Sequence, residues 1–172
     1  ICRQLCEDVP GERFTRFDPC STGPAIMAWC EWEYYKTTAD KERLADVYYP
    51  LLAYHEWMKE YRTWRDGTYW SSGWGCGMDN QPRVEPGRNV SHSNAHMVWI
   101  DSTLQALLDA RCLVRMAEEL GHQADIPALQ AEIDHLTQIV NDRLWSEEDA
   151  FYYDEWRNGQ RSGVMSIAAY WA

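Results

Sequence analysis

The stretch from Asp101 to Gly121 constrains the fold more than any other. It opens on Asp101, a residue type that caps helix N-termini, and closes on Gly121, which suits the position just past a helix C-terminus. Between them the apolar residues fall in two stripes at helical spacing. Leu104, Leu107, Leu108, Cys112 and Met116 form one; Ala106, Ala110, Leu113, Ala117 and Leu120 form the other. A helix apolar over so wide an arc is buried on more than one side. The next helix begins at Asp125 with Pro127 in its first turn, and carries Leu129, Ile133, Leu136, Val140 and Leu144 at three- and four-residue steps. The residues between are mostly polar, so it has a single buried stripe. Concentric inner and outer helix layers produce that alternation.

Other segments follow the same rhythm. From Gly23 the sequence turns helical, with Pro24 in a first-turn position and Ile26, Trp29, Cys30 and Glu33-Tyr34 on one face. Asp40 caps a short helix with Leu44, Val47 and Tyr48 on one side. Pro50 then ends that helix and starts another, running to about Trp64, with Leu51, Leu52, Tyr54, Met58 and Tyr61 as burial candidates. Near the C-terminus, Phe151 to Trp156 is short and aromatic and Asn158-Gly159 is a hairpin signal, so one small β-hairpin linking two helices is expected. The fold class is all-α with that one hairpin.

Composition removes several classes of function. At 172 residues the chain is about one domain. Sixteen Lys+Arg against 27 Asp+Glu leave a net charge of −11, without the electrostatic footprint for nucleic acid or an anionic membrane. Hydrophobic residues make up 45%, yet no apolar run approaches the roughly 20 residues of a spanning helix. Ten Trp and ten Tyr against three Phe are too many rings for a disordered chain, and they favour surfaces half apolar and half wet. Cys2, Cys6, Cys20, Cys30, Cys76 and Cys112 form no C-x-x-C pair, so most read as buried thiols, with one or two disulfides left open. The chain starts at Ile1 and ends on GVMSIAAYWA, which reads as a helix getting under way. It is therefore expected to be part of a longer polypeptide, truncated at both ends. On that expectation the 101–120 helix lacks neighbours and exposes an unusually large apolar face.

Residues 65–97 form a long connection that holds five of the ten Gly. Connections of this length in a compact domain are functional or disordered, and the interleaved Tyr69, Trp70, Trp74 and Met78 argue against disorder. At its centre stands Trp74-Gly75-Cys76-Gly77-Met78-Asp79-Asn80-Gln81-Pro82-Arg83. Glycines admit a ligand close to the backbone, and Pro82 fixes the chain beyond the acid. A carboxyl walled by Trp is pushed upward in pKa by desolvation, the property a general acid needs near neutrality. Alone, Asp-Asn in a Gly-rich loop also reads as a turn device.

Gly77-Met78-Asp79-Asn80 with Pro82-Arg83 resembles the G-M-D-N-x-P-R signature of the glycoside hydrolase family 63 group, which includes mannosylglycerate and glucosylglycerate hydrolases; trehalases are more distant relatives. The surrounding order is similar too: a Pro-containing loop and Trp-rich helix over residues 23–35, T-A-D-K-E-R-L, Y-Y-P-L-L-A-Y-H-E-W, W-I-D-S-T-L-Q-A-L-L, E-E-L-G and L-W-S-E-E-D-A-F-Y-Y-D. The resemblance implies part of an (α/α)6 toroid, the rest of the same polypeptide completing it, with the active site at the mouth of the inner ring. It implies cleavage of an α-glucosidic or α-mannosidic bond of a small glycoside or oligosaccharide with inversion. That chemistry uses two carboxylates about 6.5–9.5 Å apart. Asp79 matches the general acid, and the base is a Glu beyond residue 172. The alternatives are a non-catalytic carbohydrate-binding or assembly protein on the same toroid, and a trehalase-like hydrolase. Departures from the pattern are Gln81 in place of a small Ser, Val84 for an aromatic, Cys20 to Pro24 before the first helix, and Ala150 for a Gly in a turn.

Trp70, Trp74 and Trp99 are candidates to stack on sugar faces, core packing being the other reading. Asn80 and Arg83 read either as partners of substrate hydroxyls or a carboxylate, or as holders of the loop. Asp101 reads as a helix cap, and the resemblance places it near the sugar. Glu31 and Glu33 read as a solvated or helix-pairing face. His92 and His96 stand four apart without a clear third ligand, so neither a metal nor a cofactor is expected.

Overall fold

A computed structural model describes residues 22–78, 81–83 and 94–172. Four helices carry it: α1 Met27–Thr38, α2 Lys41–Tyr61, α3 Ile100–Leu120 and α4 Ile126–Ile139. A π-turn over Val140–Leu144 extends α4, and a 3-10 turn over Ile167–Trp171 lies near the C-terminus. Four two-residue strands make two antiparallel ladders. β1 (Met97–Val98) pairs with β4 (Glu155–Trp156), and β2 (Trp145–Ser146) pairs with β3 (Phe151–Tyr152).

The doubly striped helix is the centre of the molecule. Both stripes of α3 are buried from Leu104 to Ala117, save a partly covered Leu108, with α1, α2, α4 and the 3-10 turn packed around it. The expected large bare face on this helix is therefore absent: its neighbours lie within the described residues. Exposed large apolar side chains stand elsewhere, among them Met165, Ile167 and Tyr170. On α4 and its π-turn, Leu129, Ile133, Leu136, Val140 and Leu144 are all buried, as their spacing predicts. Gly121, at φ +82°, ends α3 with its N–H returned to Ala117 and Glu118.

Four expectations need correction. Residues 41–61 form one helix, not two, with Pro50 inside it. Pro50 and Asp46 are both exposed, so water can take the Asp46 carbonyl that the missing N–H leaves free. In α1 the covered positions are Ala28, Glu31, Trp32 and Tyr35; Trp29, Cys30, Glu33 and Tyr34 face outward. The helix starts only at Met27, after the Ile26 amide has bonded the Pro24 carbonyl, which turns the expected face away from α3. Asp101 is not the cap of α3: Trp99 is, and Asp101 lies in the first turn, because its carboxylate is bound elsewhere. Finally, the Asn158-Gly159 turn does fold the chain back, with the Trp156 amide on the Gln160 carbonyl, the Ser162 amide on the Asp154 carbonyl and a Glu155–Arg161 bridge. It is not the one hairpin expected, because the aromatic run before it is divided between two further ladders.

No helix among the described residues is long and apolar enough to cross a membrane. Glu31 receives both Nε and Nη2 of Arg43 on α2, so it pairs helices, while Glu33 meets Lys36 in solvent. Cys76 and Cys112 are buried free thiols and Cys30 an exposed one; Cys2, Cys6 and Cys20 lie outside the described residues.

Candidate active site

The Gly-rich motif is fastened to the body of the molecule by one arginine. Arg83 is buried, 1% exposed. Its Nη2 donates to Asp101 Oδ2 on α3 at 2.6 Å and its Nη1 to Asp154 Oδ1 at 2.5 Å. Its guanidinium lies over the Trp99 ring, 3.7 Å from the centroid. A planar fork stacked on an indole and divided between two carboxylates is a role lysine cannot fill. Asp154, between β3 and β4, also accepts the Ile100 amide at 2.8 Å, capping the first turn of α3 with a distant side chain. Burial raises the Asp154 pKa and Asp101 adds to it, so Arg83 only partly restores the charged form.

Gln81 adds a second fastening. Its Nε2 donates to Asp101 Oδ2 at 3.1 Å and approaches Cys76 Sγ at 3.8 Å, while its Oε1 accepts from Ser166 Oγ at 2.5 Å. Its backbone N–H donates to the Met78 carbonyl at 3.2 Å, so the two residues flanking positions 79 and 80 are bonded to each other. Upstream, Cys76 Sγ accepts the Met78 amide at 3.3 Å and burial pushes its thiol pKa up. Gly77 sits at φ +76°, where a Cβ would also meet Pro24 Cγ at 3.3 Å. Only glycine fits that corner without strain.

Asp79 and Asn80 lie outside the described residues, as does His92. Of the other expected site residues, Arg83, Trp99 and Asp101 come together, but inside the protein. Trp99 is 0% exposed, one face under Arg83 and its Nε1 bonded to the Asn94 carbonyl. The reading of Trp99 as a sugar platform is therefore corrected: a ring with no exposed face cannot stack on a pyranose. Arg83 and Asp101 likewise hold the loop: both side chains are buried, Arg83 is divided between Asp101 and Asp154, and Asp101 also accepts Gln81 Nε2 and the Ser102 amide. Trp70 is half-buried, with the Arg62 guanidinium 4.9 Å from its centroid, and Trp74 is half-buried in the turn before the motif. His96 is exposed and stacks on Trp64, and no group of three or more His, Cys, Asp or Glu able to hold a metal occurs among the described residues.

Sequence reasoning missed two groups. Asp154 ends the F-Y-Y-D run that carried part of the resemblance, which was the signal available for it. The other is a charged knot behind the site. His55 Nδ1 meets Asp109 Oδ2 at 3.0 Å and its Nε2 meets Glu132 Oε2 at 3.2 Å. Glu132 also takes Lys59 Nζ at 2.8 Å and the Tyr69 hydroxyl at 2.6 Å, and Asp109 accepts the Ala28 amide at 3.3 Å. Burial alone would lower the His55 pKa, but hydrogen bonds to Asp109 and Glu132 reverse this and raise it to about 9. The knot joins α1, α2, α3 and α4 to Tyr69, the residue before Trp70.

Comparison with known proteins gives the family and the fold. Residues 19–172 match the family described as the mannosylglycerate hydrolase MGH1-like glycoside hydrolase domain. A crystal structure of a GH63 mannosylglycerate hydrolase from Thermus thermophilus in complex with glucose superposes with a TM-score of 0.73 at 22% identity, over 95% of this chain and 49% of that one. A GH78 family rhamnosidase of a Bacillus species gives 0.61 at 20% identity, over 81% of this chain and 14% of its own. An uncharacterized protein of Borreliella burgdorferi is 26% identical over 132 residues, 77% of this chain and 26% of that protein. The chain thus spans about half the length of the Thermus enzyme and a quarter of the Borreliella protein. The all-α toroid expected from the sequence is the fold these structures share.

Proposed function

Because the chain belongs to the mannosylglycerate hydrolase MGH1-like glycoside hydrolase domain family, we propose that it supplies the acid half of an inverting α-glycosidase site, completed by the rest of a longer polypeptide. Asp79 is the general acid. It protonates the departing glycosidic oxygen while a Glu from the completing part activates water on the opposite face of the sugar. The substrate is a small α-mannoside or α-glucoside such as mannosylglycerate or glucosylglycerate. Trp74, and the uncovered edge of Trp70, flank the bound sugar, and Asn80 bonds a hydroxyl. Arg83 and Asp101 act from inside the protein as positioning residues.

One observation carries this reading. The described residues that flank positions 79 and 80 are anchored, by the Met78–Gln81 bond and by a buried arginine divided between Asp101 and Asp154. A proton donor whose supports cannot shift loses little rate to misalignment. In the full-length protein Asp79→Asn is expected to abolish hydrolysis of mannosylglycerate and glucosylglycerate while the sugar still binds. The anomer released by the wild type, followed by NMR, is expected to be inverted. Near-normal turnover by that variant removes the acid assignment, and sugar binding without any wild-type turnover favours a non-catalytic module.

A further inference from the structure

Gln81 bonds across three segments of the described structure. Its side-chain amide donates to Asp101 in the first turn of α3 and accepts from Ser166, whose Oγ in turn receives the Ala168 amide of the 3-10 turn. It is half-buried, so these bonds form where water competes only in part. An amide alone suits this position. It must donate toward Asp101, which already accepts Arg83, and accept from Ser166, which the carboxamide does with its two different ends. A serine is too short to reach both.

We propose that Gln81 is a positioning residue for the general acid: it locks the loop behind position 79 to α3 on one side and to the C-terminal turn on the other. This rests on the reading of Asp79 given above. The groups that face the Gln81 side chain are Asp101 from α3, Ser166 from the C-terminal segment and Cys76 from its own loop, with Arg83 and Asp154 bonded behind Asp101. A carboxylate at position 81 would place a third negative charge against one guanidinium. Protonated, the same group would recover an O–H to offer Asp101.

The test compares Gln81→Ala and Gln81→Glu with Asp79→Asn in the full-length protein, using mannosylglycerate and glucosylglycerate as substrates. Gln81→Ala is expected to lower kcat about 10- to 100-fold with KM little changed, at all pH values. Gln81→Glu is expected to lose more at about pH 8 than at about pH 5.5, because only the protonated carboxyl donates. Amide exchange over residues 76–83 is expected to quicken roughly tenfold in Gln81→Ala without loss of the global fold. Wild-type kcat together with wild-type exchange in Gln81→Ala overturns the proposal, as does a Gln81→Glu loss with no pH dependence, which a merely structural role would give. An inactive Asp79→Asn beside normal Gln81 variants refutes the lock alone. An active Asp79→Asn refutes the acid, and the proposal falls with it even where exchange quickens.

Discussion

At the scale of single residues, the molecule invests most in Arg83. Two carboxylates and an indole face surround a guanidinium that water does not reach. Taking the cation away leaves Asp101 and Asp154 buried and facing each other, and a buried pair broken on one side costs about 3–5 kcal/mol. Arg83→Met is expected to destabilise the protein by that amount in urea titrations. Arg83→Lys should recover only part, since an ammonium cannot serve both acids and the ring together. Arg83 and Asp101 were visible in the sequence as motif members, but their burial was not. Nothing in local spacing says that an Arg and an Asp 71 positions apart will form a buried ion pair. Gln81 was legible only as a departure from a pattern; its bonds to Ser166 and Asp101 exist once three distant segments have packed.

Among the elements, apolar periodicity carried well wherever one helix met another along its length. The spacing over 101–120 and 125–144 gave the buried faces of α3 and α4, because burial there depends on the helical period alone. It failed where a local rule met a wider context. Pro50 sits on the solvent side of α2, so its break is tolerated, and the aromatic run at 151–156 was divided between two partners far apart in the chain. The turn joining β2 to β3 retains a trace of conflict. Ala150 holds φ +49°, in the left-handed region where a Cβ is disfavoured. Ala150→Gly is expected to stabilise the protein by about 0.5–1 kcal/mol, read as a shift of the urea midpoint without a change of slope.

For the whole molecule, the knot around His55 sets how stability depends on pH. The His55 pKa rises from 6.5 unfolded to about 9 folded, so its contribution is complete below about 6.5 and drains away as pH climbs through 9. Glu132 is the counterpart. Burial opposes its charge, yet His55, Lys59 and Tyr69 hold its pKa down at about 2, so that contribution is present above its unfolded value of 4.5 and lost as pH falls toward 2. The two shifts describe one interaction and are counted once. Stability is expected to drop by about 3 kcal/mol between neutral pH and pH 10, and His55→Gln should flatten that slope. A stability curve level across that range would remove the charged imidazole from the account.

The sharing of one guanidinium between Asp101 and Asp154 also bears on descent. A lineage that altered any of positions 83, 101 or 154 singly would pass through an ancestor with an uncompensated charge in its interior. Substitution at the three should therefore be correlated, the trio inherited intact or exchanged together, while the solvent-facing flank of α1 is left to drift.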